Sequence, residues 1–350
     1  MITAMGRREL GGRRETRGST EAAETCFYSR RPYHYVLFKK LTAGPEVVTL
    51  LSLIDVTALM ISDILLQRLK SVEPNATFTG SMPRVSSSSG KVYFVKTGAA
   101  REKDQFTGEA ESLEAMGSLA PGLVPKVLDA GQFEDGKPYF ISEYKDFGSL
   151  GGKTAEVLAK RLATEMHRPT DQKKFGFGVP THCGATKMRN GWFDTWQECY
   201  DDKISELLDY LRARKTFTEL CEKGEQVRER VIPRLLGPLR IQPALLHGDL
   251  WSGNAGADSA SGEPVIFDPS SYYGHNEADL AIARIFGGFS QPFFTTYFKH
   301  YPKAEPVEDY EARCDLYELF HYLNHTVLFG GGGYASSAER KMDSLLKVVG

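Results

Sequence analysis

The run His247-Gly248-Asp249-Leu250-Trp251-Ser252-Gly253-Asn254, with Asp268 closing the later stretch Val265-Ile266-Phe267-Asp268, constrains this chain more than any other feature. It sets an Asp five residues before an Asn on a short Gly-containing loop, then a second Asp at the end of an apolar, strand-like run. Moving a phosphoryl group from a nucleoside triphosphate to a hydroxyl needs that set. One carboxylate receives the hydroxyl proton, while an Asn and an Asp hold a divalent metal. Asp249 is the candidate proton acceptor. Asn254 and Asp268 are the candidate Mg²⁺ ligands, since amide and carboxylate oxygens suit a hard cation. Asp and Asn are also ordinary turn formers, so the motif gains weight only from partners elsewhere in the chain.

Those partners are present. Val92-Tyr93-Phe94-Val95 reads as a strand and ends at Lys96; Glu109 lies thirteen residues on, in a helix predicted over 106–116. Lys96 is placed to contact the α- and β-phosphates of ATP, and Glu109 to pair with it and fix its position, although Glu111 and Glu114 share that helix. A helix is predicted over 61–69, strands around the Ser86–Gly90 turn, and further strands at 125–128 and 139–144. The last ends at Glu143 and Tyr144, whose backbone groups are expected to meet the adenine edge. Beyond Asp146-Phe147-Gly148 the pattern turns helical, with candidates at 153–167, 193–213, 216–231, 276–286, 291–301, 307–328 and 335–348. This order predicts an α+β, two-lobed protein-kinase-like fold of the aminoglycoside-phosphotransferase type. A small β-rich nucleotide-binding N-lobe spans 61–145 and a larger helical catalytic C-lobe spans 146–350. His247 is expected to organise the loop by packing, and Asp279, opening the helix after Asp268, to hold loop backbone. Glu277 either faces the substrate or sits there as a favourable helix N-terminal acid.

A formal net charge of −2 sets up no global field toward nucleic acid or an anionic membrane, so neither is an expected partner. The five cysteines are scattered, with no C-x-x-C spacing to mark a zinc site or redox pair. Dispersed thiols suit a reducing compartment, and the cytoplasm is the expected location. The first sixty residues read as an N-terminal extension, partly disordered. Seven arginines before position 32 leave mitochondrial targeting as an alternative, against which Glu9, Glu15, Glu21 and Glu24 count. The apolar run Val47–Ile61 is too short for a span and carries Asp55 at its centre, so a buried helix is the better reading.

The stretches Leu245–Asn254 and Phe267-Asp268-Pro269-Ser270-Ser271-Tyr272-Tyr273-Gly274-His275-Asn276-Glu277-Ala278-Asp279 resemble the fructosamine/ketosamine 3-kinase family, protein-ribulosamine 3-kinase type. So do Phe106-Thr107-Gly108-Glu109, Phe286-Gly287-Gly288-Phe289 and Tyr322-Leu323-Asn324-His325. The resemblance covers about residues 61 to 350. It implies an ATP- and Mg²⁺-dependent kinase acting on the 3-hydroxyl of ketoamines, which are sugar adducts of protein lysines or free amines. The 3-phosphate then leaves spontaneously from beside the ketone and the amine is freed. On this resemblance Trp251 forms an apolar floor under the sugar or anchors the loop as a core residue, and Tyr273 and His275 are further substrate-side candidates.

There is one departure. Relatives commonly carry a Gly-Gly-Cys turn over the phosphates, whereas Thr79-Gly80-Ser81-Met82-Pro83-Arg84 has one Gly and no Cys. Gly80 and Ser81 still offer backbone N–H groups to phosphate, and Arg84 either adds charge there or is merely solvated. No thiol switch is expected at this loop. Two other readings stand beside the ketoamine kinase. One is a kinase for a choline-like or aminoglycoside-like alcohol, against which the Tyr-Gly-His run argues. The other is a catalytically silent nucleotide-binding scaffold, against which Lys96, Glu109, Asp249, Asn254 and Asp268 argue together.

Overall fold

Helix α1 (Asp63–Val72) begins where Ser62 caps it, the hydroxyl accepting a hydrogen bond from the Leu65 N–H at 3.3 Å. Its buried Leu65 and Leu69 pack on one face of an antiparallel sheet made of β1 (Phe78–Ser81), β2 (Arg84–Ser87), β3 (Val92–Thr97), β4 (Val127–Gln132) and β5 (Pro138–Glu143), in the order β1-β2-β3-β5-β4. Strand alternation decides what each face carries. Tyr93 and Val95 of β3, with Tyr139 and Ile141 of β5, form the core under α1; Phe94, Lys96 and Phe140 fall on the other face. Each large side chain so buried is worth about 1.5–3 kcal/mol. The computed structural model describes residues 61–330 and 332–350; the Arg-rich segment, the expected N-terminal extension and residues 47–60 of the apolar run lie outside the described residues.

Helix α2 (Lys103–Leu119) crosses from β3 to β4. After β6 (Phe147–Ser149) come α3 (Gly152–Arg161), the hairpin β7 (Thr181–Cys183) and β8 (Thr186–Met188), α4 (Trp196–Arg212), α5 (Thr218–Gln226) and α6 (Ile232–Leu236). Four short strands follow: β9 (Ala244–Leu246), β10 (Ala255–Asp258), β11 (Pro264–Ile266) and β12 (Tyr272–Gly274). The chain ends with α7 (Asn276–Asp279), α8 (Ala281–Phe286), α9 (Gln291–His300), α10 (Tyr310–Phe329) and α11 (Gly333–Val348). The expected helices over 153–167 and 216–231 are interrupted by wider π-type turns at 162–166 and 227–231. The second runs into α6, where Pro233 has no N–H to continue a regular ladder. The helix expected over 276–286 divides at Leu280. Among the described residues no helix is long and apolar enough to cross a membrane.

Of the two readings of Glu277, burial excludes the one that turns it toward substrate. Its carboxylate is 2% exposed and accepts two hydrogen bonds from Arg313 of α10, at 2.8 and 3.1 Å, plus one from the Ala304 N–H at 2.8 Å. Arg313, fully buried, also donates to the carbonyls of Ala304 and Pro306 at 2.8 and 2.7 Å. The pair ties α7, the 304–306 segment and α10 together.

Candidate active site

Two short ladders present the loop from 247 to 254. Pairing of β10 with β11 sets Ala255 opposite Ile266; one step on, the Phe267 N–H donates to the Asn254 carbonyl at 3.1 Å, so Asp268 emerges beside Asn254. Pairing of β9 with β12 sets Leu246 opposite Tyr272, and the Ser270 N–H donates to the His247 carbonyl at 2.8 Å. The chain turns at Gly248 with φ +80°, where a Cβ would lie 2.0 Å from the Ser270 carbonyl oxygen. Both the backbone conformation and the space demand glycine. Gly248→Ala is expected to lower stability by about 3 kcal/mol, read as a reduced urea midpoint; an unchanged midpoint would show that the loop relaxes freely.

Asp279 holds that turn. Its two oxygens accept the N–H groups of His247 and Gly248, each at 2.8 Å, and it meets His167 at 3.1 Å. The other ring nitrogen of His167 is 2.7 Å from the Tyr297 hydroxyl. Burial works to raise the Asp279 pKa, but the bonds from His167 and the His247 backbone hold it below the usual carboxylate range. The His247 ring makes a 3.0 Å contact with the Phe267 carbonyl, and burial pushes its pKa down, keeping the imidazole neutral. Sequence reasoning missed His167. Nothing in its local pattern separates it from a solvated histidine, since it meets Asp279 only in the fold.

Asp249, 8% exposed, receives the Asn254 side-chain amide on its carboxylate at 3.2 Å and on its backbone carbonyl at 3.0 Å. Its pKa is pushed up to about 7, by burial first and then by the charge of Asp268. Asp268 is pushed to about 6, by burial and then by Glu109, against the pull of Lys96. It sits in the left-handed region at φ +55°, which costs on the order of 1 kcal/mol and aims the carboxylate away from the strand path. Lys96 forms an ion pair with Glu109, its ammonium 4.9 and 5.1 Å from the Phe106 and Phe140 ring centres. Helix α2, which carries Glu109, is bound to the C-terminal part of the fold. Asp104 pairs with Lys187 at 2.5 Å, and Ser112 accepts the Ser271 N–H at 3.2 Å. Gly108 lets α2 approach so closely that a Cβ there would lie 2.4 Å from the Pro180 carbonyl oxygen.

Several expectations need correction. The N–H groups of Glu143 and Tyr144 are spent on the Lys126 and Val92 carbonyls, at 3.0 and 3.2 Å, so neither is a donor to adenine. Gly80 and Ser81 lie in the β1–β2 hairpin, at the turn where the sequence placed them. Its tip folds onto β3, the Val95 N–H donating to the Pro83 carbonyl at 2.8 Å, beside Lys96. The Arg84 guanidinium lies over the Tyr144 ring, 5.4 Å from its centre. Tyr273 lines a pocket of about 280 Å³ walled by Glu111, Glu114, Phe177 and Trp192, which includes none of Asp249, Asn254 and Asp268. His275, 1% exposed, is 2.8 Å from the Tyr317 hydroxyl, and burial pushes its pKa down to about 4; it packs in the core and does not line the site. Trp251 is half-buried, edge-to-face with Phe286 at 6.4 Å and lying against Gly253, where a Cβ would come within 2.2 Å of the indole.

A model of the fructosamine kinase family matches residues 56–348. The chain belongs to the fructosamine kinase family. It is 42% identical over 259 residues to the chloroplastic protein-ribulosamine 3-kinase of Arabidopsis thaliana, covering 73% of this chain and 77% of that one. To the ketosamine-3-kinase of Mus musculus it is 35% identical over 283 residues, covering 74% and 89%. A solved structure named as a fructosamine-3-kinase of Haemophilus somnus superposes with a TM-score of 0.70 at 20% identity, over 81% of this chain and 96% of that one. The fold of this fructosamine kinase family member is thus the two-lobed protein-kinase-like one expected from its motif order.

Proposed function

We propose that this chain transfers the γ-phosphoryl group of ATP to the 3-hydroxyl of ketoamines on protein lysines or small amines, and so initiates their removal. The observation that carries the reading is the convergence of Asp249, Asn254 and Asp268 with the Lys96–Glu109 pair, close enough that both members of the pair act on Asp268. Lys96 is the residue for the α- and β-phosphates, oriented by Glu109. Asp249 takes the proton of the acceptor hydroxyl. Asn254 and Asp268 hold Mg²⁺, and their donor set fits: two oxygen ligands from an amide and a carboxylate, in a site whose crowded anions favour protons until a dication relieves them. When bound, Mg²⁺ neutralises charge on the transferring phosphate. Trp251, half-buried between Phe286 and Gly253, is the candidate apolar floor under the sugar.

The relatives named for ribulosamine and ketosamine point to a ketoamine acceptor, and we assign the ribulose adduct as the better of the two sugars. The test is ATP- and Mg²⁺-dependent phosphate incorporation into ribulose- and fructose-modified lysine. Transfer to O3 of either establishes the activity, and the ratio of rates gives the sugar preference. Measurable ATP binding without transfer to either would overturn it.

The raised Asp249 pKa fixes a pH dependence. The proton acceptor must be ionised, so kcat/KM measured at low Mg²⁺ should fall about tenfold per pH unit below about 7 and level off above it. Saturating Mg²⁺ should move this limb to lower pH, because a cation beside Asp268 favours the ionised form of its neighbour. A profile flat from pH 5 to about 8 would count against Asp249 as the acceptor.

A further inference from the structure

Two side chains with no part in the scheme above converge on Asp249 from distant parts of the chain. Cys183 ends β7, and His321 lies in the middle of α10. The Cys183 Sγ, an imidazole nitrogen of His321 and a carboxylate oxygen of Asp249 all lie within 4.8 Å of one another, and all three residues are buried. His321 is 3% exposed, and its Nδ1 has no hydrogen-bond partner. A buried polar nitrogen left this way costs about 1–3 kcal/mol and calls for an explanation. Three residues further along α10, Asn324 donates its amide to the Cys183 Sγ at 3.1 Å and to the Cys183 carbonyl at 3.3 Å. An N–H aimed at a sulfur is what a metal-bound thiolate receives from its surroundings.

We propose that Cys183, His321 and Asp249 form an inhibitory site for a zinc-class dication. One sulfur, one imidazole nitrogen and one carboxylate oxygen form a donor set for a borderline-soft, tetrahedral ion. Mg²⁺ demands oxygen ligands and does not compete for the thiolate. Zinc bonds of about 2.0–2.3 Å set neighbouring ligand atoms roughly 3.4–3.7 Å apart. The observed group closes to that geometry by about 1 Å of side-chain adjustment, the thiol proton leaves to solvent, and water completes the fourth position. The ion occupies the carboxylate that must receive the hydroxyl proton, so zinc binding and turnover exclude one another. This inhibitory consequence rests on Asp249 as proton acceptor, while occupancy of the site does not.

The experiment uses the full chain stripped of metal, with free zinc set by a chelator buffer and Mg²⁺-ATP in excess. Bound zinc is measured by equilibrium dialysis, and initial rates are taken in parallel. Cobalt substituted for zinc reports the ligands through a sulfur-to-cobalt charge-transfer band. One zinc per chain is expected, with the band present and with inhibition that tracks occupancy. Cys183→Ser should abolish the band; Cys183→Ser and His321→Gln should each weaken zinc binding and inhibition by about 100-fold or more, and Asn324→Ala by about 10–100-fold. Absence of the band in the native protein overturns the proposal whatever the variants do, as does a Cys183→Ser chain that binds zinc like the native. Zinc held through Cys183 with undiminished turnover overturns it too, because the metal then leaves Asp249 alone. If no ketoamine is a substrate, the dialysis and the cobalt spectrum still decide the metal site.

Discussion

Asp249→Asn should lower kcat by about a thousandfold, within the 10²–10⁴ range of a lost general base, while ATP affinity changes by no more than a few-fold. The substitution keeps the shape of the side chain and an oxygen to accept the Asn254 amide, so the loop has no reason to move. What it removes is the group that takes the proton. It also removes one of two crowded, buried anions, so the variant without metal or nucleotide should melt no lower than the native protein near pH 8. Steady-state rates, nucleotide titration and thermal unfolding together check this. A turnover loss matched by loss of ATP binding or a lowered melting temperature would point to damage to the loop. Retained turnover would remove Asp249 from the chemistry.

Arg313→Ala should cost about 3–5 kcal/mol of stability, the usual result of stranding a buried charge. The guanidinium is fully enclosed and satisfies both Glu277 oxygens as well as the Ala304 and Pro306 carbonyls, so its removal leaves a buried anion with only the Ala304 N–H and strips two carbonyls of that donor. Urea unfolding followed by fluorescence gives the measurement. Replacing both partners together, Arg313→Met with Glu277→Leu, should recover much of the loss, since an apolar pair needs no solvation. A single-variant loss below about 1 kcal/mol would mean that water reaches Glu277.

Legibility from sequence followed the range of the physics. Asp249, Asn254 and Asp268 were readable because their spacing is local and their chemistry is scarce. Lys96 and Glu109 were readable because a period of two on β3 and a helical run on α2 fix which faces they take. Asp279 could be assigned a scaffold role from its place at a helix start, but its partner His167 could not, because that contact spans the fold. Of the backbone groups expected to meet adenine at Glu143 and Tyr144, the N–H groups were already claimed by sheet pairing, which is invisible in the sequence. Tyr273 and His275 were assigned to substrate on family resemblance; burial takes His275 away from the site, while Tyr273 lines a pocket beside Trp192. Cysteine spacing gave no hint of Cys183 beside Asp249 and His321, because spacing rules see only ligands that are neighbours in the chain.

The bonds from α2 to Lys187 and Ser271, with its close approach to Pro180 at Gly108, have a mechanical consequence. By sequence order and by its packing on β4 and β5 this helix belongs with the sheet, yet it is also tied to the part of the molecule that holds Asp249. These contacts couple the sheet to the catalytic loop through α2, so displacing one relative to the other would have to break or slide them. The Lys96–Glu109 contact joins β3 to that coupling helix, so anything that parts the two would change the charge balance beside Asp268.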